Sequence, residues 1–198
     1  FIPVAERSGL IVTLGEWVLE EAFRQYEQWA KQQPLSIAIN LSARQFRHPG
    51  LLPMLKRCLQ HYAIEPNHIE LEITESLLMQ DVDKAITLMH DIKALGFRLA
   101  IDDFGTGYSS LSYLKRFPID CLKIDRAFVK DLDKNEQDRT LLKAMVDLAH
   151  NLGMNVVTEG VETAEQLALV EQLGTDNIQG FYFSKPLTVD ELQQRYRA

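Results

Sequence analysis

Short β-branched and apolar runs alternate along this chain with longer stretches whose apolar positions recur at helical spacing. The runs lie at 36–41, 69–74, 97–102, 121–125, 155–159 and 177–183, with the length and composition of strands. Amphipathic stretches at 15–32, 50–62, 81–95, 136–152 and 163–173 predict helices between them, and one more helix closes the chain. Thr13 with Glu16, Thr163 with Gln166 and Thr188 with Glu191 have the spacing of reciprocal helix-start caps. Gly96, Gly153 and Gly174 stand where helices should stop in a left-handed cap. Strand and helix in strict alternation argue for parallel strands joined by right-handed crossovers. No linker interrupts the alternation, so a single domain over 1–198 is expected, with the acidic stretch 131–138 as a solvated loop leading into a helix.

Side chains alternate across a strand, so each run splits into two parities. One reads Ile37, Ile39, Leu41; Ile69, Leu71, Ile73; Phe97, Leu99, Ile101; Leu122, Ile124; Val156, Thr158; Ile178, a surface suited to packing beneath helices. The other is small, polar or charged, with Glu70, Glu72, Arg98, Asp102, Lys123 and Glu159 among its members. An open α/β sheet covered by helices needs two apolar faces. The polar parity therefore looks at something other than a helix, and a barrel interior meets that need. Charges on such a face imply ion pairs, metal or both, since a buried lone charge costs several kcal/mol. Six strands are two short of a closed eight-stranded barrel, and the chain opens at Phe1-Ile2-Pro3-Val4-Ala5-Glu6 with no preceding strand. The expected fold is α/β, a modified TIM-type β/α barrel lacking its first two strands. The two unpaired edges this leaves invite association, so a dimer is expected.

Composition narrows the function. At 198 residues, 46% hydrophobic and 25% charged, the chain can bury an ordinary globular core, which excludes a disordered tail or a disulfide-stapled miniprotein. Its 21 Lys plus Arg against 28 Asp plus Glu give a net charge of -7, the wrong sign for holding long nucleic acid. Cys58 and Cys121 are its only cysteines, which suits a reducing, cytoplasmic setting. No apolar stretch has the ~20 residues of a membrane span, so no membrane contact is expected of this segment.

The polar parity ends, strand after strand, in an oxygen-bearing or cationic group: Asn40, Glu72, Asp102, Lys123, Glu159 and Gln179. In β/α barrels the C-terminal strand ends form the active site. Adjacent Asp102 and Asp103 reach one site only if the backbone leaves the ladder there, next to Phe104-Gly105-Thr106-Gly107. Gathered carboxylates need a compensating cation. The hard oxygen set of Asn40, Glu72, Asp102, Asp103 and Glu159 favours Mg²⁺ or Mn²⁺ over zinc. The five histidines all fall outside the strand ends. A carboxylate shared by two ions is the arrangement for displacement at phosphorus, which points to phosphodiester hydrolysis. Lys123 then holds the attacking water or a phosphoryl oxygen, and Glu159 acts as metal ligand, general base or both. The stretch 105–110 reads as a loop beside the metals, with Ser109 or Ser110 capping the next helix.

Asn40-Leu41-Ser42, Glu72-Ile73-Thr74-Glu75-Ser76, Asp102-Asp103-Phe104-Gly105-Thr106-Gly107-Tyr108-Ser109-Ser110, Lys123-Ile124-Asp125, Thr158-Glu159-Gly160-Val161-Glu162 and Gln179-Gly180-Phe181-Tyr182-Phe183-Ser184-Lys185-Pro186 together resemble the EAL-domain cyclic-di-GMP phosphodiesterases. The resemblance runs in order from Phe1 to the last helix. It implies two Mg²⁺ or Mn²⁺ ions and hydrolysis of cyclic-di-GMP to linear pGpG in bacterial second-messenger signalling. Residue by residue, it implies metal ligation by Asn40, Glu72, Asp102, Asp103 and Glu159, and water positioning by Lys123. Gln179 and Glu162 resemble second-layer or substrate-side groups, and Glu75 resembles a glutamate that anchors the loop from Asp103 to Ser110, a loop linked in the family to dimerisation. The Glu-Ala-Leu motif that names the family would lie upstream of Phe1, so an N-terminally incomplete EAL-type domain is expected, inactive on its own if that motif is needed. A homodimer and upstream sensor or cyclase domains are the implied partners. The alternative is a receptor that holds cyclic-di-GMP without cleaving it.

Overall fold

The computed structural model describes residues 1–30, 35–79, 81–107 and 111–197. Its helices are α1 (Ile2–Ser8), α2 (Leu10–Ala30), α3 (Ala43–Phe46), α4 (Leu51–His61), α5 (Glu75–Leu78), α6 (Val82–Ala94), α7 (Leu111–Leu114), α8 (Glu136–Asn151), α9 (Ala164–Gln172) and α10 (Val189–Arg197). Its strands are β1 (Ile37–Leu41), β2 (Ile69–Thr74), β3 (Arg98–Phe104), β4 (Cys121–Ile124), β5 (Asn155–Glu159) and β6 (Asn177–Gln179). The chain forms two compact units, Phe1–Leu122 and Lys123–Ala198.

In the first unit β1, β2 and β3 are parallel neighbours in chain order, with Ile37 opposite Ile69 and Leu71 opposite Leu99. The apolar parity is the core: Ile69, Leu71, Ile73, Phe97 and Leu99 are fully buried. Helices cover it through stripes at their own period, Leu51, Met54, Leu55 and Cys58 on α4 and Ala85, Met89 and Ile92 on α6. The polar parity keeps charge by pairing it, as where Arg98 meets its register partner Glu70 at 3.4 Å. In the second unit β5 and β6 are parallel, and α8 packs on β5 with Leu142, Met145, Val146 and Ala149 buried.

Several element ends differ from the expectation, each for a local reason. Thr13 and Glu16 do not cap a helix start, because α2 already begins at Leu10, directly after Gly9 ends α1 in a left-handed conformation (φ 87°). Gly15 lies inside α2, where its missing side chain admits Gln45. The run at 177–183 shortens to Asn177–Gln179: beyond it the chain turns back on Val161, whose amide donates to Gln179 O (3.2 Å) and whose carbonyl accepts from Tyr182 N (3.0 Å). Phe181, Tyr182 and Phe183 are therefore an exposed turn, not strand. The stretch 131–138 enters α8 at Glu136, where the Asn135 side chain accepts from Gln137 N at 2.9 Å. The caps at Thr163 with Gln166 and Thr188 with Glu191 form as reciprocal pairs, and Gly96, Gly153 and Gly174 all have positive φ at helix ends. The expected caps Ser109 and Ser110 lie outside the described residues. Among the described residues no helix is long and apolar enough to cross a membrane. Cys58 and Cys121 are both buried and form no disulfide among the described residues.

Candidate functional site

In the first unit the register sets the donors side by side. Asn40 on β1 stands opposite Glu72 on β2, and Thr74, two residues on, stands opposite Asp102 on β3. Glu72 and Asp102 are buried, at 4% and 9% exposure, while Asn40 is exposed. The break expected after Asp102 occurs at Asp103 itself, whose φ of 54° makes it the one described residue other than glycine in the left-handed region. Aspartate tolerates that region better than most side chains, at a cost of order 1 kcal/mol. The turn brings a carboxylate oxygen of Asp103 within 4.8 Å of one of Asp102, although successive strand residues ordinarily point apart. Behind the turn, Glu75 at the head of α5 is 2% exposed and accepts from Gly105 N at 3.0 Å. Its other oxygen, Oε1, is buried without a hydrogen-bond partner among the described residues. Glu75 thus ties down the turn and is not one of the strand-end donors.

In the second unit Lys123 on β4 is buried and its Nζ meets Glu159 Oε1 at 2.8 Å. Glu159 stands opposite Gln179, which is exposed. Two glycines hold the backbone close here. Gly160 (φ 76°) lies so near Arg126 that a Cβ would stand 2.3 Å from Arg126 Cβ, and a Cβ on Gly180 would stand 1.9 Å from Val161 O. Beside Glu159 a cleft of about 530 Å³ is lined by Asp125, Arg126, Ala127, Lys130, Gly160, Glu162 and Gln166. Glu162 is exposed on it, and its amide donates to Gln166 Oε1 at 2.8 Å. Sequence reasoning singled out Glu162 but passed over Arg126 and Lys130. Arg126 opens a 3₁₀ turn after β4 that Asp125 caps, and Lys130 lies two residues past its end, where strand parity gives no signal.

The strand-end chemistry and the parallel α/β units define a protein of the TIM-type β/α barrel class, and solved structures carry the same fold. The PaMucR phosphodiesterase in complex with c-di-GMP matches with a TM-score of 0.93 at 44% identity, over 97% of this chain and 78% of that one. BlrP1 of Klebsiella pneumoniae, in a manganese and cyclic-di-GMP complex, matches with a TM-score of 0.81 at 31% identity, over 88% of this chain and 45% of that one. In sequence, the chain is 44% identical over 97% of its length to the bifunctional diguanylate cyclase/cyclic di-GMP phosphodiesterase MucR of Pseudomonas aeruginosa. It is 41% identical over its whole length to the cyclic di-GMP phosphodiesterase PdeR of Escherichia coli. The chain spans 28% of MucR and 30% of PdeR. The EAL domain model matches residues 1–186, and the chain belongs to the EAL domain family.

Proposed function

We propose that this chain is a metal-dependent phosphodiesterase domain that hydrolyses cyclic-di-GMP to linear pGpG. The observation that carries the reading is the aspartate pair gathered by the left-handed Asp103, beside buried Glu72, in an EAL chain whose relatives MucR and PdeR are named for this activity. Two carboxylates at that spacing repel by roughly 3 kcal/mol at an effective dielectric of about 20. A cation relieves this, and the amide and carboxylate oxygens on offer are hard donors that suit Mg²⁺ or Mn²⁺.

Asn40, Glu72, Asp102, Asp103 and Glu159 are the proposed ligands, for two ions. Bound there, the ions would supply Lewis-acid neutralisation of the phosphodiester and would lower the pKa of a water. Lys123, its ammonium held by Glu159, directs its other donors at the attacking water or a phosphoryl oxygen. Glu159 takes the proton that the water gives up. The water oxygen adds in line to phosphorus as the bond to the 3′ oxygen breaks, and that oxygen takes a proton from solvent to leave as a hydroxyl, with the phosphate retained at the 5′ end. Gln179 and Glu162 serve the substrate side, and Glu75 holds the turn that presents Asp103. The chain is further proposed to act as one EAL-type domain of a longer cytoplasmic protein, homodimeric and controlled by upstream sensor or cyclase domains.

The test is conversion of cyclic-di-GMP to pGpG by the full-length protein with Mn²⁺ or Mg²⁺, followed by chromatography. Asp102→Asn should lower turnover at least about 100-fold. Unchanged turnover would remove Asp102 from the site, and tight binding with no pGpG formed would make the protein a receptor.

A further inference from the structure

The same three-part clamp occurs twice in this chain, with one member changed. In the first unit Lys93, in the last turn of α6, meets both carboxylate oxygens of Asp120 at 2.6 and 2.7 Å. Asp120 stands one residue before β4 and accepts from the amide of Leu99, the second residue of β3, at 2.8 Å. In the second unit His150, in the last turn of α8, meets Asp176 at 2.8 Å. Asp176 stands one residue before β6 and accepts from the amide of Val156, the second residue of β5, at 2.7 Å. Either side chain can present an N–H to the aspartate.

We propose that His150 and Asp176 are positioning residues for Glu159 and Gln179, the clamp gripping the two strands that carry them. The roles of Glu159 and Gln179 rest on the phosphodiesterase reading; the clamp does not. Val156 and Asp176 each stand three residues before a site residue, on strands whose register pairs Glu159 with Gln179. About 10 Å of extended backbone therefore links clamp to site on each strand. β6 has three residues, so the Asp176 contacts are a large share of what fixes its start. The Thr158 and Thr175 hydroxyls add a tie there at 2.6 Å.

Burial pushes the Asp176 carboxyl up, but the hydrogen bonds from His150 and Val156, with the His150 charge, outweigh it and hold the pKa below the usual value.

Hydrogen exchange of the full-length protein tests this, through the protection of the Val156 and Ile178 amides at a single pH. Protection should fall about fivefold in His150→Gln and stay near the wild-type value in His150→Lys, which copies the first clamp. Leu99 should not change. Unchanged protection in His150→Gln, or a parallel fall at Leu99, overturns the clamp. Cyclic-di-GMP turnover should drop about threefold in His150→Gln and recover in His150→Lys. Protection that behaves as expected with turnover unmoved overturns the positioning role. A wild type that hydrolyses no cyclic-di-GMP overturns the phosphodiesterase reading instead, and exchange alone then decides the clamp.

Discussion

The turn after β3 and the turn after β6 each leave a strand end open, but they are held by different means. At β3 the hold is a side chain: Glu75 reaches up to Gly105 N, and Asp103 takes the strained conformation that brings its carboxylate near Asp102. At β6 the hold is backbone against backbone, with Gly180 packed on Val161 and no space for a methyl group. A side-chain tether yields to a change of partner or rotamer, whereas a backbone contact yields only if strands shift. The β3 turn is thus the adjustable one, and the β6 turn is the fixed frame.

Substitutions separate the two. Gly180→Ala should have the largest effect, about 3 kcal/mol lost in urea denaturation, because Val161's own backbone must move. Glu75→Ala should follow at about 2 kcal/mol, since the Gly105 amide loses its buried acceptor. A Glu75→Ala loss above that of Gly180→Ala would reverse the comparison. Gly107→Ala should lose up to about 2 kcal/mol, because making room moves the buried Glu75 carboxylate, whose Oε1 stands 2.7 Å away, off the Gly105 amide. Asp103→Gly should raise metal-free stability by up to about 1 kcal/mol, by relieving the left-handed strain, while removing a proposed ligand.

A pH effect away from both turns serves as a reference. Burial, with the Glu20 charge adding to it and Arg57 opposing, pushes the Cys58 thiol from 9.0 to about 11. The raised value favours the neutral thiol in the folded state, so its contribution to stability is whole below about pH 9 and is lost as pH climbs towards about 11. Alkylation of native Cys58 should accordingly be slow at neutral pH and should speed up only with unfolding.

The fold was largely legible because its strands carry unbroken apolar parities: Ile69, Leu71 and Ile73 could be assigned to the core from alternation alone, and the structure buries all three completely. Errors fell where local signals overlap. Thr13 and Glu16 have cap spacing but sit within a helix that Gly9 had already allowed to start. The aromatics Phe181 to Phe183 favour strand, yet the Gly180 contact with Val161 is tertiary and turns the chain before them. One-turn helices such as α3 and α5 are too short for any period to show. At the candidate site the donors were legible as strand-end oxygens. The left-handed Asp103 was only half legible, and the matched clamps at Asp120 and Asp176 were not, because each joins a helix end to strands far along the chain.

Manganese stoichiometry decides most directly whether the strand ends form a metal centre. Titration of the full-length protein followed by electron paramagnetic resonance should show two bound Mn²⁺ per chain in the wild type and at most one in Asp102→Asn. Two ions bound with the same affinity after Asp102→Asn would contradict the assignment.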